Sequence, residues 1–320
     1  MKILGGSKKD IKNCIIAIII SLILGSFVIV NTNIYLNNMV SKSLVDIAKI
    51  GAKNIENNID WNFEKLDLLS RSEIIYSDKY SIEDKLEYLN KSNKPDKYVE
   101  IAYITTDGTM YAASGRKFDV SSEKFFLKAK EGKKTAEMME LKFYPDYPAI
   151  AFTLPVYYNN SIKSFVSLIY STEGLCEIIE NIKFGNQGYG YVIGSDGVTL
   201  AHIDRSLVKN KVRSIADANH DSSFKKLAEI ETRMLQGGTG SGSYIYKGQK
   251  KIMGFTGIEN VSWSFAATSL VKDAFDDASP IVIIVTSVVG TFILCLILIN
   301  IYFIALNKKS KREENPQERC

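Results

Sequence analysis

Two uninterrupted apolar runs, residues 14–30 and 280–306, lie on either side of a long polar middle. A helix needs roughly 20 apolar residues to cross the hydrocarbon core of a bilayer. The second run supplies 27 residues without one Asp, Glu, Lys or Arg, and the first supplies 17 followed by six uncharged residues. The pattern therefore predicts transmembrane helices at residues 13–36 and 279–306, with an exported region at residues 37–278.

A cleaved signal peptide is the rival interpretation of the first run, because a basic segment containing Lys8, Lys9 and Lys12 precedes it. A cleavage site needs small residues at a fixed spacing after the apolar run. The five residues from Asn31 to Tyr35, which follow Val30, do not have that pattern. This favours an uncleaved anchor over a removed leader.

The charges that flank the two runs predict their orientation. Four lysines precede the first run, and four basic residues directly follow the second, Lys308, Lys309, Lys311 and Arg312. The positive-inside rule therefore places both ends, residues 1–12 and 307–320, in the cytoplasm. The exported middle then holds 31 basic and 32 acidic residues. The overall charge of +4 therefore comes from the two ends that the rule places in the cytoplasm. A basic stripe with interleaved aromatic residues is absent from the sequence, and we expect no nucleic-acid partner.

Apolar positions between Leu44 and Leu69 recur at steps of three and four, with charged and amide residues between them. This spacing predicts one long amphipathic helix, continuous or nearly so with the first membrane run. Such a helix packs on its own domain. A long stalk leaving a membrane also favours pairing with a second copy, so we expect a homodimer.

The next part of the chain has the alternating pattern of strands. Residues 98–112 predict a hairpin that turns at Asp107-Gly108. A short helix is expected at residues 125–130, and strands are expected at residues 149–158 and 164–171.

The same order then begins again. A second hairpin turns at Asp196-Gly197, and a helical pattern at residues 223–235 is followed by the glycine-rich residues 237–242, which are expected to be flexible. Three final strands complete the copy. An internal repeat of this kind predicts an α+β fold with two tandem antiparallel-sheet modules, at about residues 95–172 and 185–270.

Several motifs in this repeat resemble a known family. Residues 185–193 and 196–202 are similar to the second-module signature of double Cache sensor domains of bacterial transmembrane receptors, and Trp263-Ser264-Phe265 also fits. Residues 119–133 resemble the ligand-proximal helix of the first module. The resemblance covers about residues 39–275. It implies two PAS-like modules on a long N-terminal helix, flanked by two transmembrane helices.

The resemblance also implies a function. Members of this family are sensory receptors of the cell membrane that bind amino acids, amines, carboxylates or purines in the membrane-distal module. Binding shifts helices, and a chemotaxis, kinase or cyclase output responds. The candidate ligand-binding residues here are Phe118, Phe125 and Phe126 at the aromatic places of the motif, Glu123 between them, and Tyr144, Tyr147 and Ser171 nearby.

Glu123 departs from the family pattern, because the amino-acid binders have an arginine at its place. A guanidinium binds a carboxylate through paired, charge-assisted hydrogen bonds, whereas a glutamate repels one. If Glu123 faces the cavity, an aromatic box with one acid suits an amine through cation–π contact and a charge pair. The alternative is that Glu123 lies on a solvated helix face beside Lys124.

Other chemistry is weakly supported by the sequence. A nucleophile elbow, a P-loop and a metalloprotease helix are all missing from the sequence, so neither catalytic residues nor an enzyme such as an anchored hydrolase is expected. His202 with Asp204, and His220 with Asp221, lack further ligands at zinc spacing, so no metal or cofactor is expected. Cys176 lies in a helical pattern and is expected to be a buried thiol.

The fourteen residues after the second run are too few for an output domain. The sequence leaves two interpretations open. The receptor signals through a cytoplasmic or membrane partner in trans, or the chain is the input part of a truncated or split chemoreceptor, histidine kinase or diguanylate cyclase.

Overall fold

The structure is a computed structural model that describes residues 8–91, 98–139, 142–144, 148–218, 221–276 and 279–314. Two compact units are distinguished within it. One contains residues 1–40 and 275–320, and the other contains residues 41–274.

The described residues form helices and strands with the following bounds. The helices are α1 (Lys8–Ser70), α2 (Glu73–Tyr76), α3 (Ile82–Lys91), α4 (Lys124–Lys130), α5 (Thr172–Glu180), α6 (Arg205–Lys209), α7 (Ser214–Asp217), α8 (Lys225–Leu235), α9 (Val271–Asp276) and α10 (Ser279–Glu314). The strands are β1 (Tyr98–Ile104), β2 (Thr109–Ala112), β3 (Lys117–Asp119), β4 (Thr135–Met138), β5 (Ala149–Tyr158), β6 (Ser161–Ser171), β7 (Tyr189–Ile193), β8 (Thr199–Ala201), β9 (Gly240–Tyr246), β10 (Gln249–Ile258) and β11 (Trp263–Leu270).

Two of these helices are long and apolar enough to cross a membrane. The N-terminal part of α1 and the segment Pro280–Phe303 of α10 both satisfy the requirement for length and hydropathy. Their large side chains, among them Phe27, Phe292 and Leu298, are exposed. Two apolar helices therefore flank the sheet-forming region, as the sequence predicts.

The C-terminal half of α1 is the spine of the sheet-forming unit. The predicted amphipathic pattern is confirmed, because its apolar positions are buried: Leu44, Ala48, Ala52, Ile55, Ile59, Phe63, Leu66 and Leu69. All of them except Leu44 form one core cluster with side chains from the first sheet, such as Phe152, and from the second, such as Phe265. Burial of one apolar face along both sheets explains why this long helix is stable.

The two sheets repeat one topology, which confirms the predicted α+β fold. The first sheet has the order β3-β2-β1-β6-β5-β4, and the second has the order β8-β7-β11-β10-β9. The hairpin β1–β2 corresponds to β7–β8, and the meander β4–β6 corresponds to β9–β11. In both sheets every pairing is antiparallel, and the first strand of the hairpin pairs with the last strand of the meander. The extra strand β3 distinguishes the first sheet.

The prediction that residues 237–242 are flexible is wrong for Gly240 and Gly242, which belong to β9. Side chains of α8 lie close to the backbone of both glycines. A Cβ at Gly240 would lie 2.6 Å from the guanidinium of Arg233, and one at Gly242 would lie 2.6 Å from Ile230. The glycines therefore allow close packing of a helix on a strand.

Candidate ligand-binding sites

The structure gives Glu123 a partner that the sequence did not indicate. Glu123 is the N-cap residue of α4 with an extended backbone, but its side chain does not cap the helix. It is 9% exposed, and its Oε1 accepts a hydrogen bond of 2.9 Å from Nζ of Lys142. The carboxylate is therefore enclosed and charge-paired, and the alternative interpretation, a position on a solvated helix face, is wrong.

Phe118 and Tyr144 lie together on the same side of the first sheet. The ring of Phe118 is 5.5 Å from that of Phe143 and 6.1 Å from that of Tyr144. The guanidinium of Arg116 lies 4.6 Å from the centre of the Tyr144 ring and 5.3 Å from that of Phe118. Lys142 Nζ lies 4.7 Å from the centre of the Phe143 ring. Phe118, Glu123 and Tyr144 therefore belong to one group of aromatic and charged side chains.

A buried acid anchors this group. Glu100 in β1 is 6% exposed, and its carboxylate accepts hydrogen bonds from the Tyr144 hydroxyl at 2.6 Å, from Arg116 at 2.9 Å and from the Ser114 backbone at 2.9 Å. Sequence reasoning missed both Glu100 and Arg116. The available signal was an acid inside an otherwise apolar strand, because such a residue needs partners.

The remaining predicted residues have other surroundings. Phe125 and Phe126 are 1% exposed and belong to the apolar core between α4 and the first sheet. The hydroxyl of Ser171 caps α5 by accepting a hydrogen bond from the backbone N–H of Glu173. Tyr147 lies outside the described residues.

The second sheet carries a cavity that the sequence did not predict. It has a volume of about 230 Å³ and lies between the sheet and the segment that contains α6, α7 and α8. Its walls are rich in aromatic side chains, namely Tyr189, Tyr191, Phe224, Tyr244 and Tyr246. Residues two apart in a strand share one face. The tyrosine pairs of β7 and β9 therefore line one side of the cavity.

Glu231 of α8 is the most unusual residue in the cavity wall. It is 3% exposed, and its Oε1 accepts a hydrogen bond of 3.2 Å from the Tyr191 hydroxyl. Its Oε2 has no hydrogen-bond partner among the described residues. Burial raises the pKa of Glu231 to about 7, against the opposing effect of the nearby hydroxyl groups of Tyr191 and Ser214. The signal in the sequence was an acid within the apolar stripe of α8, between Leu227 and Met234.

Histidine 202 contributes a neutral imidazole to the same cavity. Burial lowers the pKa of His202 to about 4, and its Nδ1 accepts a hydrogen bond of 2.8 Å from the Asp204 backbone. Because Nδ1 is the acceptor, Nε2 carries the proton and can donate. The ring also packs edge-on against Tyr189, with centroids 5.1 Å apart.

The loop before β7 connects the cavity wall with the helix that leaves the second sheet. The carboxylate of Asp273 in α9 accepts hydrogen bonds from the backbone of Gln187 at 2.8 Å and of Asn186 at 3.1 Å, and from the Ser269 hydroxyl at 3.0 Å. Gly185 has a φ of +56°, and a Cβ there would lie 2.9 Å from the Asp273 carboxylate. The glycine-rich motif before Tyr189 is therefore an anchor for α9.

No protein-family model and no curated protein matches this sequence. Solved structures with a similar fold include three ligand-binding domains of receptors. The domain of the Pseudomonas aeruginosa PAO1 amino acid chemoreceptor PctB, in complex with L-Arg, is 17% identical with a TM-score of 0.56, and the match covers 74% of this chain and 97% of that one. The domain of Mlp24 with asparagine is 19% identical with a TM-score of 0.56, covering 75% and 97%. The domain of the Campylobacter jejuni chemoreceptor Tlp3, in complex with 4-methylisoleucine, is 10% identical with a TM-score of 0.55, covering 75% and 94%.

At these identities the likeness concerns the fold. It extends over nearly the whole length of each neighbouring domain. The region flanked by the two apolar helices of this chain therefore has a fold like that of these chemoreceptor ligand-binding domains.

Proposed function

We propose that this chain is a membrane-bound sensory receptor. Its sheet-forming region binds a small molecule outside the cell membrane, and the signal crosses the membrane as helix motion. The observation that carries the proposal is the fold of chemoreceptor ligand-binding domains, bounded in the sequence by two helices long and apolar enough to span a bilayer. Both termini are cytoplasmic in this proposal, in accord with the lysines that flank the apolar runs.

The ligand proposed for the first sheet is a small amine, amino acid or similar metabolite. PctB and Mlp24 are described with L-Arg and with asparagine, which supports a ligand of this size. Phe118 and Tyr144 provide aromatic faces, and Glu123 provides an enclosed carboxylate. Because Lys142 already pairs with Glu123, a ligand ammonium group would displace the lysine ammonium group from this carboxylate. Phe125, Phe126 and Ser171 would then support the site through packing and helix capping.

A homodimer is the proposed assembly. On α1, the side chains of Ile50, Trp61 and Leu68 are 61%, 54% and 70% exposed. Steps of eleven and seven residues bring a helix back to nearly the same side. These three residues therefore form an exposed apolar stripe opposite the buried face, which suits contact with a second copy.

Transmission is proposed to use both ends of the sheet-forming region. A ligand shifts the population between two helix arrangements by binding one of them more tightly. In the second sheet, the hydrogen bonds of Asp273 tie α9 to the loop before β7. The signal then passes to a cytoplasmic or membrane partner in trans.

The sensory function is tested with the full chain in lipid nanodiscs. Thermal unfolding is followed by tryptophan fluorescence while amines, amino acids, purines and carboxylates are added singly. We expect at least one class to raise the unfolding temperature, because a ligand that binds only the folded state stabilises it. An unchanged unfolding temperature across all four classes at millimolar concentration would contradict sensing of such metabolites.

A further inference from the structure

We propose that the cavity of the second sheet is a binding site for a small amine with an apolar body, whose ammonium group pairs with Glu231. The inference rests on the proposed sensory function but concerns a different site from the first-sheet group around Glu123. It adds a second place at which the receptor can recognise a molecule.

The cavity has the composition of a small-molecule site. Such sites are concave and mostly apolar, with a few polar groups that orient the ligand. Here the volume of about 230 Å³ is walled by tyrosines and Phe224, while Leu207 and Leu227 add aliphatic surface. A molecule with one ring or a short alkyl chain matches this size and lining.

The carboxyl group of Glu231 favours a ligand that carries a hydrogen-bond donor. One of its oxygens already accepts a hydrogen bond from Tyr191, and the other has no partner among the described residues. A buried carboxylate with an open acceptor is costly, and a bound ammonium group would supply both the missing donor and the opposite charge. Asp217, which also lines the cavity, adds a second negative charge on the helical side.

The tyrosine rings suit a cation as well. Nζ of Lys251 lies 4.9 Å from the centre of the Tyr189 ring, and Nζ of Lys247 lies 5.3 Å from that of Tyr246. The protein's own ammonium groups thus already use these rings as cation–π partners. Lys251 also donates to the Tyr189 hydroxyl at 2.8 Å. The two lysines contact the tyrosines on the sheet side of the cavity. The acids Asp217 and Glu231 lie on the helical side, where they would repel a carboxylate ligand.

Calorimetric titration of the full chain in nanodiscs tests the site with 2-phenylethylamine and the uncharged 2-phenylethanol. We expect the amine to bind at least tenfold more tightly than the alcohol. Glu231→Gln keeps the shape of the side chain and removes its charge, and it should weaken the amine at least tenfold while leaving the alcohol within about twofold. Glu229→Gln is the matched control, because Glu229 is exposed on the same helix, and it should bind the amine as the wild type does.

Leu207→Trp is a second variant, which fills the cavity without touching Glu231. It should abolish binding of both probes, and circular dichroism of each variant confirms folding. Wild-type amine affinity in either folded Glu231→Gln or folded Leu207→Trp would overturn the inference. Loss of amine binding in Glu123→Gln, with retention in Glu231→Gln, would move the site to the first sheet, overturning this inference but supporting the proposed function.

Discussion

The ring of Phe265 in β11 packs directly on the backbone of Gly51 in α1. A Cβ at position 51 would lie less than 3.0 Å from three ring atoms, closer than real Cβ contacts come. Gly190 of β7 meets the same ring, and a Cβ there would lie 2.4 Å from one ring atom. Gly254 of β10 lies against the backbone of Leu44, again with no room for a Cβ. The second sheet therefore approaches α1 through glycines, and the spacing between helix and sheet leaves little room for a larger residue at these positions.

The change Gly51→Ala is expected to destabilise the folded protein. Alanine is favoured over glycine in a helix by about 1 kcal/mol, but overpacking against Phe265 costs typically about 1–3 kcal/mol. We expect a net loss of unfolding free energy, measured by denaturant unfolding of the chain in nanodiscs. Asn54→Ala is the control, since Asn54 is exposed on the same helix, and it should leave stability equal or slightly higher.

The double variant Gly51→Ala with Phe265→Leu gives the specific test of this contact. Removal of the ring should relieve the clash, so the two changes should be less destabilising together than the sum of their separate effects. Additive losses would show that the two residues do not interact through this packing.

Glu231 is expected to make stability depend on pH. Its pKa rises from the ordinary 4.5 to about 7 in the folded protein because of burial, so the folded state binds the proton more tightly than the unfolded state does. The wild type should therefore lose stability as pH increases between about 4.5 and 7, by on the order of 3 kcal/mol from this group. Glu231→Gln should therefore become more stable relative to the wild type, in unfolding free energy, as the pH increases from 5 to 8. A constant difference across this window would contradict burial of an ionisable carboxyl.

Amine binding in the second-sheet cavity should weaken in acid. Only the ionised Glu231 pairs with an ammonium group, so the affinity for 2-phenylethylamine should fall about tenfold from pH 8 to pH 6. His202 stays neutral over this range because its pKa is about 4. The other charged side chains that line the cavity are Lys247 and Asp217. The alcohol probe provides the control, and an equal loss for both probes would point to a general change of the cavity.

Much of the fold could be predicted because its signals are local. The apolar period of α1 and the Asp-Gly turns depend only on neighbouring residues. The charged group of the first sheet could not be predicted in the same way. Arg116 reaches Tyr144 because β2, β3 and the segment after β4 converge, and Glu123 meets Lys142 across nineteen positions of sequence. Pairing over such distances depends on how the sheet closes, which a single sequence does not encode in any short window.

The cavity of the second sheet was missed for a related reason. Tyr189, Tyr191 and Tyr244 fit the alternating pattern of ordinary strands, and Glu231 occupies one inward position of an amphipathic helix. The packing of α8 on the sheet brings these residues together. The acid in the apolar stripe was the one local sign of the site.

The exposed stripe on α1 is expected to support dimerisation. Leu68→Glu places a charge at the position with the greatest exposure of the three, and it should shift the chain in nanodiscs or detergent toward the monomer because a desolvated charge opposes association. Mass photometry at several concentrations measures the change. Glu64→Gln, elsewhere on the exposed surface of α1, should leave the dimer fraction unaltered. A stripe variant with unaltered mass would rule out this surface as the interface.

Asp273 is expected to control how the second sheet holds α9. Asp273→Asn replaces one carboxylate oxygen by an amide N–H, which cannot accept from the backbone of Asn186 or Gln187. Amide hydrogen exchange at residues 185–188 should accelerate severalfold, while Glu259→Gln, an exposed acid-to-amide control in the turn between β10 and β11, should not change it. The hydrogen bond from Gln187 is the main cause that lowers the pKa of Asp273, so its contribution to stability is present above pH 3.8 and is lost as pH falls through the lower folded value. The wild-type loop should accordingly stay protected at pH 5. If exchange in Asp273→Asn remained as slow as in the wild type, the loop would be held by other contacts, and Asp273 could not link the cavity wall to α9.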